Sequence, residues 1–138
     1  MEQLAVEIVG LCREYGECRV EVERMEEARR VKNALESVCA MARQRLDISD
    51  PALLLALLDA CEVTRDEGML QEVLDVVGRN LDRLAVSAES VKLLACCYYY
   101  VEEEECVERA GRMLEELRKM GRGEEELADA ETILEELT

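Results

Sequence analysis

Histidine, tryptophan and phenylalanine are absent from this 138-residue chain, and proline occurs once, at Pro51. Losing imidazole removes the commonest general base and metal ligand. Ser-His-Asp and Cys-His nucleophile pairs, His-containing zinc sites and the Glu-x-x-His sites of helix-bundle di-iron proteins are thereby excluded. Four tyrosines are the only aromatic residues, too few to build a stacking platform for nucleic-acid bases. Positive charge is scarce as well: 17 basic against 33 acidic side chains give a net −16. Such a surface repels phosphate backbones, which are bound by Lys and Arg, so nucleic acid is not expected as a direct partner. The longest apolar run, Pro51 to Leu58, has eight residues, against the ~20 that span a bilayer; no membrane partner is expected. No basic-then-apolar leader is visible either, since the opening stretch is amphipathic and interrupted by Glu7, Arg13 and Glu14. A cytoplasmic protein is the expectation.

What remains is 49% apolar, which sets the chain apart from disordered acidic sequences and supports one folded domain with a real core. The seven cysteines (Cys12, Cys18, Cys39, Cys61, Cys96, Cys97 and Cys106) are odd in number and contain no Cys-x-x-Cys. They read as reduced thiols serving as small core hydrophobes, and neither a metal site nor another cofactor is expected. Asp-x-Asp loops, Gly-rich phosphate loops and Gly-x-Ser-x-Gly elbows are all missing, so no catalytic residue is assigned and a non-enzymatic protein is expected.

Helical periodicity runs almost from end to end. Leu4, Ile8, Leu11, Cys12 and Tyr15 form a first stripe that Gly16 is expected to end. A second stripe, Met25, Ala28, Val31, Leu35, Val38, Cys39, Ala42 and Leu46, is one long helix or two that bend near Asn33. Asp50 caps a third helix with Pro51 at its first position, where the missing N–H costs nothing. Asp66 caps a fourth carrying Leu70, Val73, Leu74, Val77, Leu81 and Leu84, and Ser87 caps a fifth. A sixth, Cys106 to Leu117, stops at Gly121-Arg122-Gly123, and a seventh holds Leu127, Ala130, Ile133, Leu134 and Leu137. The expected fold is all-α: about seven antiparallel helices as stacked helical hairpins, a short α-solenoid or an orthogonal bundle. Within this single domain, 1–49 is an N-terminal hairpin, 50–86 and 87–123 are two hairpin units, and 124–138 is a closing helix.

The two units repeat. An offset of 37 carries Asp50 to Ser87, Leu57 to Leu94, Ala60 to Cys97, Leu70 to Val107, Val73 to Ala110 and Val77 to Leu114. An offset of 39 brings Val31, Leu35, Val38 and Ala42 onto Leu70, Leu74, Val77 and Leu81, while the first helix has no clean match. In the second unit Val91, Leu94, Ala95 and Tyr98 stand at the spacing of the Trp, Leu, small residue and Tyr of the tetratricopeptide repeat. Cys106, Ala110 and Met113 sit one position early for that family's small residue, aromatic and Ala. The region 50–138 therefore resembles a degenerate tetratricopeptide repeat, with departures: a longer period, Val91 for the Trp and no closing Pro. A 37-residue two-helix period is equally similar to the HEAT class. The resemblance implies a peptide- or protein-binding scaffold; the family's basic carboxylate clamp has no counterpart.

Two features are candidate binding determinants. The third and fifth helices are apolar nearly all round, and Leu55, beside Asp59 and Glu62, points away from the core stripe. Leu55, Leu58, Lys92, Tyr99 and Tyr100 are the candidate partner-binding residues, forming an apolar groove for a partner helix or peptide, or a homodimer seam. The acidity is concentrated in the repeat region: residues 1–49 carry 8 basic and 10 acidic groups, and 50–138 carry 9 and 23. Glu102, Glu103, Glu104 and Glu105, and then Glu124, Glu125 and Glu126, form acidic runs at the starts of the sixth and seventh helices. The favoured reading is an adaptor or small chaperone-like interaction module; the alternative is an acidic decoy that occupies the cationic site of a basic or nucleic-acid-binding protein.

Overall fold

The computed structural model describes residues 2–121 and 123–137; Met1, Arg122 and Thr138, and the side chains of Glu2 and Glu124, lie outside that description. The Gly121-Arg122-Gly123 stop is therefore seen at its glycines, and Glu124 by its backbone alone. The chain is all-helical, with α1 Glu2–Cys18, α2 Met25–Arg43, α3 Pro51–Thr64, α4 Glu67–Arg79, α5 Ala88–Val101, α6 Glu104–Lys119 and α7 Glu124–Leu137. Short 3₁₀ turns at Val22–Arg24 and Leu81–Arg83 lie in two of the connections. No strand occurs among the described residues, and no described helix is long and apolar enough to cross a membrane.

Local chemistry sets the helix starts. The carboxylate of Asp50 accepts from the Leu53 N–H, that of Asp66 from the Met69 N–H, and the Ser87 hydroxyl from the Ser90 N–H. Each cap satisfies one donor that the first turn leaves free. Several expected boundaries move. The first helix passes through Gly16 and ends at Cys18, because a glycine is tolerated in a helix that a fully buried Cys18 anchors beyond it. The second stripe is one continuous helix, and Leu46 lies past its end. The fourth helix stops at Arg79, short of Leu81 and Leu84. There the Asn80 side chain donates to the Val76 carbonyl and its N–H to Val77. Leu84 nonetheless reaches the core, and Arg109 of α6 donates to its carbonyl at 3.2 Å.

The odd-numbered helices lie side by side: α1 packs on α3, α3 on α5 and α5 on α7. The even-numbered helices form a second layer, α2 on α1, α4 on α3 and α6 on α5. A helix in the middle of the row is covered by odd neighbours on both sides and an even helix behind. That is why α3 and α5 bury residues nearly all round: Leu53, Leu54, Ala56, Leu57 and Leu58 in one, Val91, Leu93, Leu94 and Ala95 in the other.

The second and third hairpins correspond position by position. Both α3 and α5 have 14 residues, and their starts, like those of α4 and α6, are 37 residues apart. Each hairpin turns through two residues, the first left-handed (Arg65 φ 58°, Glu102 φ 52°) and the second extended at the next helix's N-cap. Buried Met69, Val73 and Val77 of α4 map onto buried Cys106, Ala110 and Leu114 of α6. The N-terminal hairpin follows a different offset. Buried Val31, Leu35 and Cys39 of α2 map onto Met69, Val73 and Val77 by 38 residues, so the 39-residue register is one position out.

Candidate functional site

One face of the odd-helix row stays open. There α3 contributes Leu58, Asp59 and Glu62, α5 contributes Cys96, Tyr99 and Tyr100, and α7 contributes Leu137, around a hollow of about 280 Å³. The three contributions are equivalent positions: Asp59 and Glu62 map by 37 onto Cys96 and Tyr99, and Tyr100 maps onto Leu137. On α3 and α5 residues three or four apart (Leu58 and Asp59 with Glu62, Cys96 with Tyr99 and Tyr100) fall on one face.

Tyr99 and Tyr100 meet edge to face, with ring centroids 5.2 Å apart and planes at 83°. Tyr99 is 58% exposed, the most open apolar side chain of α5, where Val101 follows at 40% and the others are buried or half-buried. Tyr100 is half-buried; burial first, and then the Glu62 carboxylate, push its hydroxyl up to about 12. Asp59 is exposed as a residue, yet desolvation by its surroundings and then the nearby Glu62 raise its carboxyl above the usual range. The same two carboxylates add to the burial that pushes the Cys96 thiol up to about 11. Cys12 of α1, also pushed to about 11, feels Asp59 after burial, so the electrostatic reach of this face extends over α1, α3 and α5. Every influence on these groups favours the uncharged form of the acid, as expected where negative charge lacks a nearby counterion.

The sequence-derived partner residues divide. Tyr99, Tyr100 and Leu58 line the hollow, with Leu58 as floor at 3% exposure. Leu55 does not line it: this side chain is half-buried and packed on the core, because α3 has odd neighbours on both sides. Lys92 is also half-buried, and its ammonium pairs at 3.3 Å with Asp129, its equivalent on α7. Asp59, Glu62, Cys96 and Leu137 were not among the candidates. Asp59 and Glu62 were legible as the polar residues opposite the core stripe of the third helix; Leu137 carried no signal beyond its place in the last stripe.

The acidic residues are exposed where described, but they form two clusters. Glu102 and Glu103 make the α5–α6 turn, while Glu104 and Glu105 open α6. Glu125 and Glu126 lie in the first turn of α7, and Glu126 shares a hollow with Ser87 and Ala88 at the start of α5. The length of α5, about 20 Å at 1.5 Å per residue, separates the two clusters. The first shares an end of the molecule with Tyr99 and Tyr100.

The thiols sit in the interior. Cys18, Cys39, Cys61, Cys97 and Cys106 are buried, Cys12 and Cys96 half-buried, and all seven are free. Burial raises every one above the ordinary thiol value, to about 12 at Cys61. No group of three or more Cys, Asp or Glu side chains among the described residues has metal-binding geometry. In comparisons with known family models, curated proteins and solved structures nothing matches this chain, so the meaning of its open face rests on the residues that line it.

Proposed function

We propose that this protein is a non-enzymatic interaction module, a short helical-repeat scaffold that holds a segment of a partner protein on the open face of α3, α5 and α7. The carrying observation is Tyr99, an aromatic side chain more than half exposed beside Tyr100, Leu58 and Leu137 in a concave site. Tyrosine contributes large contact area at low entropic cost and is enriched among residues that dominate binding energy. The resemblance of 50–138 to tetratricopeptide and HEAT-type repeats points the same way, and the 37-residue correspondence of the two hairpins supports it. The seven unpaired thiols fit a reducing compartment such as the cytoplasm. The acidic-decoy alternative needs one continuous negative surface, and the 20 Å between the two clusters argues against it. Self-association through the same face is the variant that light scattering separates, by a mass of 15.7 kDa or twice that.

Selection of a random 12-residue peptide library displayed on phage, with Tyr99→Glu protein as counter-selection, tests the proposal. Peptides that bind the parent chain and lose at least tenfold in affinity for Tyr99→Glu are expected. The variant should keep its helicity and Tm, because Tyr99 is exposed. Failure to enrich any Tyr99-dependent peptide, with the chain monomeric, would refute the binding face.

A further inference from the structure

The α3–α5–α7 hollow joins two tyrosine rings to two carboxylates, and we propose that it receives a cationic side chain, arginine or lysine, of the partner segment. The inference deepens the binding face proposed above by naming the chemistry of its central contact. Asp59 and Glu62 form one wall, the edge-to-face pair Tyr99 and Tyr100 another, and Leu58, Cys96 and Leu137 supply apolar surface for the methylene stem. A guanidinium or ammonium over a tyrosine face within about 6 Å is attracted by the ring quadrupole, more strongly where water is partly excluded. Arg and Lys bury their stems while the charged head finds its partner.

Three other hollows supply the contrast, while the one at the start of α5 and α7 has, among its described residues, Glu89 and Glu126 without a cation but no aromatic ring. Tyr15 on α1 already carries the Arg19 guanidinium 5.9 Å from its ring centroid, in a hollow that also holds Arg29 and Lys32. The hollow between α2 and α4 has Arg43 against Asp66, and the one beside α4 and α5 has Arg79 with Asp75 and Glu103. Among the described residues no cation lies over Tyr99 or Tyr100 and none pairs with Asp59 or Glu62. Lys92, the one cation on α5, is taken by Asp129. Burial first, and then the neighbouring carboxylates, raise Asp59, Tyr100 and Cys96, a direction that a bound cation would oppose. The exposed carboxylates of Glu102 and Glu103 at the same end of α5 add a field that steers a basic segment toward it.

The test titrates the full chain with N-acetyl-arginine methylamide, N-acetyl-lysine methylamide and the neutral N-acetyl-citrulline methylamide, followed by amide chemical shifts. The expected result is saturable perturbation centred on Cys96, Tyr99, Tyr100 and Leu137. At least one cationic probe should bind tenfold or more tightly than citrulline, and Asp59→Asn/Glu62→Gln should bring it to the citrulline level. Equal binding of citrulline, no binding, or cationic perturbation equally strong at Glu125 and Glu126 would overturn the proposal. Tyr99-dependent peptides that lack Arg and Lys, with a silent arginine and lysine titration, would leave the binding face standing without its cation. A filled hollow with no Tyr99-dependent peptide would do the reverse.

Discussion

Arg65 and Glu102 occupy the left-handed region at equivalent places in the two hairpin turns, and replacing each with glycine should stabilise the protein. For an L-residue the left-handed conformation brings Cβ too close to the following carbonyl oxygen, at about 1–2 kcal/mol. Glycine avoids that clash but loses more backbone freedom on folding, which takes back about 0.5–1 kcal/mol. Nothing else is forfeited, because both side chains are exposed and neither makes a hydrogen bond or ion pair. The net gain is about 0.5–1 kcal/mol per site. The turns are separate and share no partner, so the double variant should gain the sum, about 1–2 kcal/mol. For a chain of this size that is a rise in Tm of about 4–8 °C. Urea unfolding followed by far-UV circular dichroism should show a higher midpoint with an unchanged slope. Gly121→Ala, at the left-handed residue after α6 (φ 66°), supplies the opposite sign and should lose about 1 kcal/mol. If the glycine substitutions leave the midpoint unmoved or lower it, left-handed strain is not what the two turns store.

Leu94→Ala, at a fully buried position in the middle of the row, should cost about 3 kcal/mol by calorimetry, the usual cost of a core cavity. Asp59 has a folded pKa raised above its unfolded value, so the folded state holds its proton longer. Stability should fall as pH rises from the ordinary carboxylate value through the raised one, and Asp59→Asn should remove that segment of the pH profile in parallel denaturation series. Arg43 spans from α2 to Glu72 and Asp66 on the α4 side through part-exposed ion pairs. Arg43→Ala should lose about 0.5–1 kcal/mol, a deficit that shrinks in high salt.

The helices were legible because apolar spacing and side-chain caps act locally. Asp50, Asp66 and Ser87 announce their helices through groups three residues away, and the 37-residue repeat is written in the same stripes. Boundaries failed for two reasons: tertiary burial of Cys18 carries α1 past Gly16, and the local cap of Asn80 on Val76 and Val77 ends α4 before Leu81. The site was half legible. Tyr99 and Tyr100 stood out as aromatics in a chain with few, whereas the half-burial of Leu55 could not be read locally because the cover given by α1 and α5 is a property of the stack. Leu137 joins the hollow through the packing of α7 on α5, which no local pattern encodes. The two acidic runs looked alike in sequence, and only the lengths of α5 and α6 put them at opposite ends.

The alternating rows also bear on how the chain folds. Each principal helix pairing joins elements adjacent or next-but-one in the chain, so none of these pairings must wait for distant segments to meet. Such topologies have low contact order and fold quickly, and they open by peeling from their ends. The doubly flanked α3 and α5 should therefore be the last amides to exchange with deuterium, and α7, with neighbours on one side, among the first. Because α7 supplies Leu137 to the hollow, a bound segment would hold that terminal helix in place, and slowed exchange along α7 would record occupancy of the site.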